Sequence, residues 1–165
     1  MAVCESMFKE SMEILKSSNI TLHEEIVALD ARTGKLLVKN TTAVDKEIIH
    51  ACGFTKQEQT FLEERKKKYE VIHNHPNSSF PSSADIRSLF EREWQSGSLI
   101  PCHNGDLYHI GKLKGKKDVD KLINTIYTVK KEEMLGYPNG AIEEEVSREI
   151  IRTLIKTKHI TFTRR

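Results

Sequence analysis

The sequence predicts a mixed α/β (α+β) domain: a small, partly antiparallel sheet covered by helices. Three observations predict it. Stretches of helical apolar period alternate along the chain with short β-rich runs. Two pairs of runs are joined by turn sequences, Ala31-Arg32-Thr33-Gly34 and His103-Asn104-Gly105, of the kind that hairpins use. The chain has 165 residues, 38% of them apolar, which is enough for a core without metal or disulfide staples and corresponds to one domain, 1–165.

In chain order, Cys4, Met7, Phe8, Met12 and Leu15 have helical spacing over 3–17, and Ser17-Ser18-Asn19 ends that helix. EIVALD (25–30) reads as a strand, and 35–39 returns after the turn. Residues 43–67 read as short helices, around Ile48-Ile49 and Phe61-Leu62, broken at Gly53. Residues 69–73 are β-rich. Ile86, Leu89, Phe90 and Trp94 form the apolar stripe of a helix over 85–94. Residues 98–102 and 106–110 flank the Asn104-Gly105 turn. Helices over 117–131 and 140–156 make a helical C-terminal extension, 115–165, whose tail, HITFTRR, has no definite pattern.

Composition narrows the function classes. Net charge is +2, from 26 basic and 24 acidic residues, so nothing indicates a nucleic-acid partner. Arg65-Lys66-Lys67-Lys68 reads as a solvated helix end. No run approaches the roughly 18 apolar residues of a membrane span, and the first residues lack a signal-peptide core. A cytoplasmic protein without membrane contact is expected. Cys4, Cys52 and Cys102 are odd in number and far apart, which argues against a disulfide framework or a thiolate metal site and for small buried hydrophobes.

The chemistry concentrates in residues 71–85. His73 and His75 are two apart, so on an extended backbone both imidazoles leave from one face. Ser82-x-x-Asp85, after Pro81 and ahead of an apolar stripe, is a helix start: a capping hydroxyl with an acid three residues on. Alone, each piece has a structural explanation. Together, His73, His75 and Asp85 supply two nitrogens and a carboxylate oxygen with one position left open, the ligand set of a catalytic zinc ion, one Zn2+ per chain. Such a site needs a general base, and Glu24 and Glu25 at the start of the first strand are the candidates. Strand parity sends them to opposite faces, so only one can serve. Ile26 and Ala28 share a face with Glu24, Val27 and Leu29 with Glu25; both faces are apolar, and the pattern does not choose. His23 is a candidate neighbour of the site, whereas His50, His103, His109 and His159 read as structural or solvated.

His73-Asn74-His75-Pro76 followed by Ser82-x-x-Asp85, with an upstream glutamate, resembles the motif of the JAB/MPN (JAMM) metalloenzyme family. The His-Asn-His-Pro wording and Ala84-Asp85-Ile86 resemble its bacterial branch, which includes RadC-like proteins and the JAB domains of phage- and toxin-linked proteins. The His-to-Asp loop is one residue shorter than the RadC-like pattern and closer to the phage- and toxin-linked one. The resemblance implies a cytidine-deaminase-like fold and zinc-dependent hydrolysis of a peptide, isopeptide or related amide bond in a peptide or protein-conjugate substrate. It implies zinc ligation by His73, His75 and Asp85, oxyanion stabilisation by Ser82, and Glu24 or Glu25 as the base. It covers about residues 20–112 and leaves the last two helices outside. Its alternatives are a non-catalytic metal-binding JAB scaffold and a RadC-like DNA-associated protein.

Overall fold

Strand parity and helical period are both realised in a layered structure. The computed structural model describes residues 5–21, 24–40, 53–75, 77–115 and 117–165. The elements are α1 (Glu5–Thr21), β1 (Ile26–Asp30), β2 (Leu36–Asn40), α2 (Lys56–Glu64), β3 (Tyr69–His73), α3 (Ser83–Glu91), β4 (Gln95–Pro101), β5 (Leu107–Lys112), α4 (Val119–Glu133), α5 (Asn139–Lys156) and β6 (Ile160–Arg164). Among the described residues this is a mixed α/β arrangement of five helices and one open six-stranded sheet, in the order β2-β1-β3-β4-β5-β6. Only β3 and β4 are parallel, joined through α3; the other neighbours are antiparallel. No helix among the described residues is long and apolar enough to cross a membrane.

The central strands are apolar on both faces because both are covered. Val27, Leu29, Ile72 and Leu99 pack against Met7 and Ile14 of α1. On the other face Ile100, Tyr108, Ile110 and Ile160 meet Ile86, Leu89 and Phe90 of α3 and Ile150 and Leu154 of α5. At the β1–β2 end of that face Ile26, Ala28, Val38, Tyr69 and Val71 pack with Phe54, Leu62 and Trp94. The 31–34 turn closes as read: Asp30 accepts from the backbone N–H groups of Arg32 and Thr33, and Gly34 takes the left-handed conformation (φ 68°) that only glycine enters without strain.

Several elements differ from the sequence reading. α1 buries Met7, Ser11 and Ile14, while Phe8 and Met12 are exposed: the buried stripe is turned by about one residue. α3 ends at Glu91, and Trp94 lies beyond it, packed edge-on to Phe54 and Tyr69 at 5.9 Å from each. β4 starts at Gln95, three residues earlier than its apolar run, because Gln95 and Ser98 satisfy one another by a 2.8 Å hydrogen bond inside the protein. Within the expected helical extension, the tail is a strand. β6 pairs with β5 from Tyr108↔Arg164 to Lys112↔Ile160, and Ile160 and Phe162 turn inward. Arg65–Lys68 lie exposed after α2; Lys67 approaches Asp30 at 3.5 Å and Lys68 donates to the Glu93 carbonyl. Cys102 is buried and free, and burial pushes its thiol up to about 12. Cys4, His23, Cys52, His50 and the helix read around Ile48-Ile49 lie outside the described residues.

Candidate metal centre

The three ligand-type side chains come together at the carboxyl end of the parallel β3–β4 pair, where α/β sheets place their ligands. His73 is the last residue of β3. His75 continues the extended path: it bridges to Cys102, and its N–H donates to the Pro101 carbonyl. Asp85 is the third residue of α3, held there by the helix start itself. The Ser82 hydroxyl accepts from the Asp85 N–H at 3.2 Å, and the Ser82 N–H donates back to Asp85 Oδ2 at 2.7 Å, a reciprocal capping box. The cap therefore aims the carboxylate at the strand ends.

His73 Nε2 lies 3.0 Å from Asp85 Oδ1, His75 Nε2 lies 3.4 Å from Asp85 Oδ2, and the two Nε2 atoms are 3.2 Å apart. A tetrahedral cation bound at about 2.0–2.1 Å has ligand–ligand edges of about 3.3 Å. The two imidazole nitrogens and one Asp85 oxygen lie within 4.8 Å of one another, so the donor set suits a small divalent cation in number and type. The tautomer fits as well. The Ser79 carbonyl, 3.0 Å from His75 Nδ1, can only accept, so Nδ1 carries the proton and Nε2 presents its lone pair.

The side chains of His73, His75 and Asp85 are largely buried, at 10%, 7% and 16% exposure. Burial alone would raise the Asp85 carboxyl, but the facing imidazoles outweigh it and hold Asp85 well below the ordinary carboxylate range. Burial likewise disfavours charge on His75, yet hydrogen bonding and charge from Asp85, the Ser79 carbonyl and the charge of Glu24 raise it above the usual imidazole value. In the protein without metal, Asp85 therefore favours the protonated form of His75, which a cation would have to displace.

Glu24 and Glu25 separate as strand parity requires. Glu24 lines a cleft of about 70 Å³ together with Ile26, Val71, His73, Asp85, Ser88 and Arg92. Glu25 is buried on the α1 side of the sheet, its Oε2 3.3 Å from Lys39 Nζ. Ser82 stands beside the ligands, its hydroxyl 2.7 Å from Asp85 Oδ2. His103, His109 and His159 are not part of the ligand grouping; His109 pairs with buried Glu70 at 3.3 Å on the α1 side.

The motif reading did not single out two supports. Asn74 is completely buried, and its Oδ1 accepts the Glu25 N–H at 2.7 Å, tying the start of β1 to the histidine pair. Its place between two inward histidines was the available signal, since parity turns it to the opposite face. Ser79 orients His75, and nothing in its sequence position marks that role. Cavity size does not mark the site either. A hollow of about 490 Å³, lined by Lys68, Glu93, Lys112 and Lys114, lies at the opposite ends of the strands and contains no such ligand grouping. Compared with family models, curated proteins and solved structures, the chain matches none.

Proposed function

We propose that this protein is a zinc-dependent hydrolase of a peptide, isopeptide or related amide bond, a JAB/MPN-type metalloenzyme with a cytidine-deaminase-like sheet. The observation that carries the reading is the convergence of His73, His75 and Asp85 on one point beside the cleft that Glu24 lines. The fold part is supported by the helix, hairpin, helix, strand, helix, strand succession and the parallel β3–β4 pair. When bound, the cation supplies Lewis-acid polarisation of a carbonyl and a water of lowered pKa.

The chain's own residues do the rest. Glu24 is the general base, because it shares the cleft with the ligands whereas Glu25 faces the other side. It takes a proton from water as the oxygen adds to the carbonyl carbon. It returns that proton to the nitrogen as the C–N bond breaks. Ser82 gives a hydrogen bond to the carbonyl oxygen as charge develops there, swinging its hydroxyl from Asp85. Low exposure of the ligands keeps bulk water from competing.

Elemental analysis and a panel of peptide- and isopeptide-linked fluorogenic amides test the reading. The unchanged protein is expected to hold about one zinc per chain. His75→Ala and Asp85→Ala are expected to lose the zinc and all turnover while keeping the far-UV spectrum. Full zinc occupancy without turnover on any amide would favour the non-catalytic scaffold, and failure to hold zinc would remove the hydrolase reading.

A further inference from the structure

We propose that Phe80 is a positioning residue for the metal ligands, and that β6 and α5 act on the metal centre through it. This rests on the metal reading above. His75 and Asp85 lie on two elements, and the loop between them decides whether they meet. That loop is Pro76-Asn77-Ser78-Ser79-Phe80-Pro81, and Phe80 is its one large apolar side chain. Hydrophobic burial therefore acts on the loop through Phe80, half-buried against the core, and through buried Pro81 beside it.

Residues 77–81 lie outside any helix or strand. Ser78 sits at φ +52°, a conformation that costs a non-glycine residue energy and persists only where its surroundings impose it. Its N–H donates to the His75 carbonyl at 3.0 Å, and its Oγ accepts the Asn104 N–H at 2.9 Å. Ser79, next along, aims His75 through its carbonyl. Phe80 then enters a box built by the C-terminal half of the chain. Its ring is edge-on to Tyr108 at 5.4 Å and lies 5.8 Å from Phe162 of β6; the Arg148 guanidinium of α5 stands 4.5 Å above it. The box is itself fixed. Tyr108 stacks on Phe162, and Asp106 accepts from the Tyr108 hydroxyl and from two nitrogens of Arg164. Phe80 is one residue from the group that orients His75 and two from the cap that aims Asp85, so a shift of its ring moves both ligands.

Zinc affinity, measured by competition with a chromophoric chelator, and the cobalt(II) visible spectrum read this role without any substrate. Phe80→Ala is expected to bind zinc about 10–100-fold more weakly, the range for loss of a group that orients a ligand, and to show an altered cobalt spectrum. Phe80→Tyr, which keeps the ring, is expected to restore both. Arg148→Ala, on a helix surface where folding is not at stake, is expected to weaken zinc in the same direction by less. Wild-type affinity and spectrum in Phe80→Ala would overturn the proposal; should that variant not fold, wild-type affinity in Arg148→Ala would do so. Zinc bound equally by the parent and Phe80→Ala would leave the metal reading standing, whereas a parent that binds no zinc would remove both.

Discussion

At the scale of single residues, the position of a side chain across the sheet separates two neighbours of identical chemistry. Glu24 and Glu25 are adjacent acids at the start of the same strand, and only Glu24 faces the cleft of His73 and Asp85. Glu24→Gln is expected to lower turnover about 10²–10⁴-fold, the usual contribution of a general base, while zinc content stays unchanged. Glu25→Gln is expected to keep turnover. Equal losses in the two variants, measured on one amide substrate, would contradict the assignment. The three ligand-type residues were legible in the sequence because a histidine pair on a strand and an acid at a helix start are local patterns, and backbone geometry fixes where each points. The choice between the glutamates was not legible, since Ile26 and Ala28 on one face and Val27 and Leu29 on the other are equally apolar.

At the scale of elements, β4 shows a constraint that apolar pattern does not reveal. A Cβ added at Gly97 would lie 2.4 Å from Glu70 Oε2 and 2.9 Å from Oε1. Glu70 has little room to retreat: it is buried, accepts from Ser96 Oγ at 2.9 Å, and pairs with His109. Gly97→Ala is therefore expected to destabilise the protein by about 1–3 kcal/mol, as overpacking does, in a chemical denaturation experiment. Unchanged stability would mean that the Glu70 carboxylate moves freely. The same strand explains a boundary missed from sequence. Gln95 and Ser96 fall between the expected helix over 85–94 and the run 98–102, but their polar atoms find partners in Ser98, Tyr69 and Glu70, so the strand begins at Gln95. β6 was missed for another reason. Two inward residues, Ile160 and Phe162, are too few for a periodic signal, and the strand is specified by its pairing with β5.

At the scale of the whole molecule, acid should weaken the pairing that anchors β6. Hydrogen bonding to Arg164 holds the Asp106 carboxyl below its ordinary value. Its folded pKa is below the unfolded one, so its contribution is complete above about pH 3.9 and is lost as pH falls through the folded value. The denaturation midpoint is expected to drop as pH falls below about 4, and Asp106→Asn is expected to show a shallower drop; identical acid profiles would show that the Asp106–Arg164 pair is not coupled to folding. The sequence by itself determined the order of most elements, the apolar character of both sheet faces, and the three ligand-type residues, because these depend on spacings of two to four residues within one element. Only the tertiary structure decided which glutamate faces the cleft, that the tail closes the sheet as β6, and that Phe80 is gripped by Tyr108, Phe162 and Arg148. Each of these joins residues far apart in the chain, and a contact of that kind leaves no local period to read; it exists once the strands have paired and the helices have closed over them.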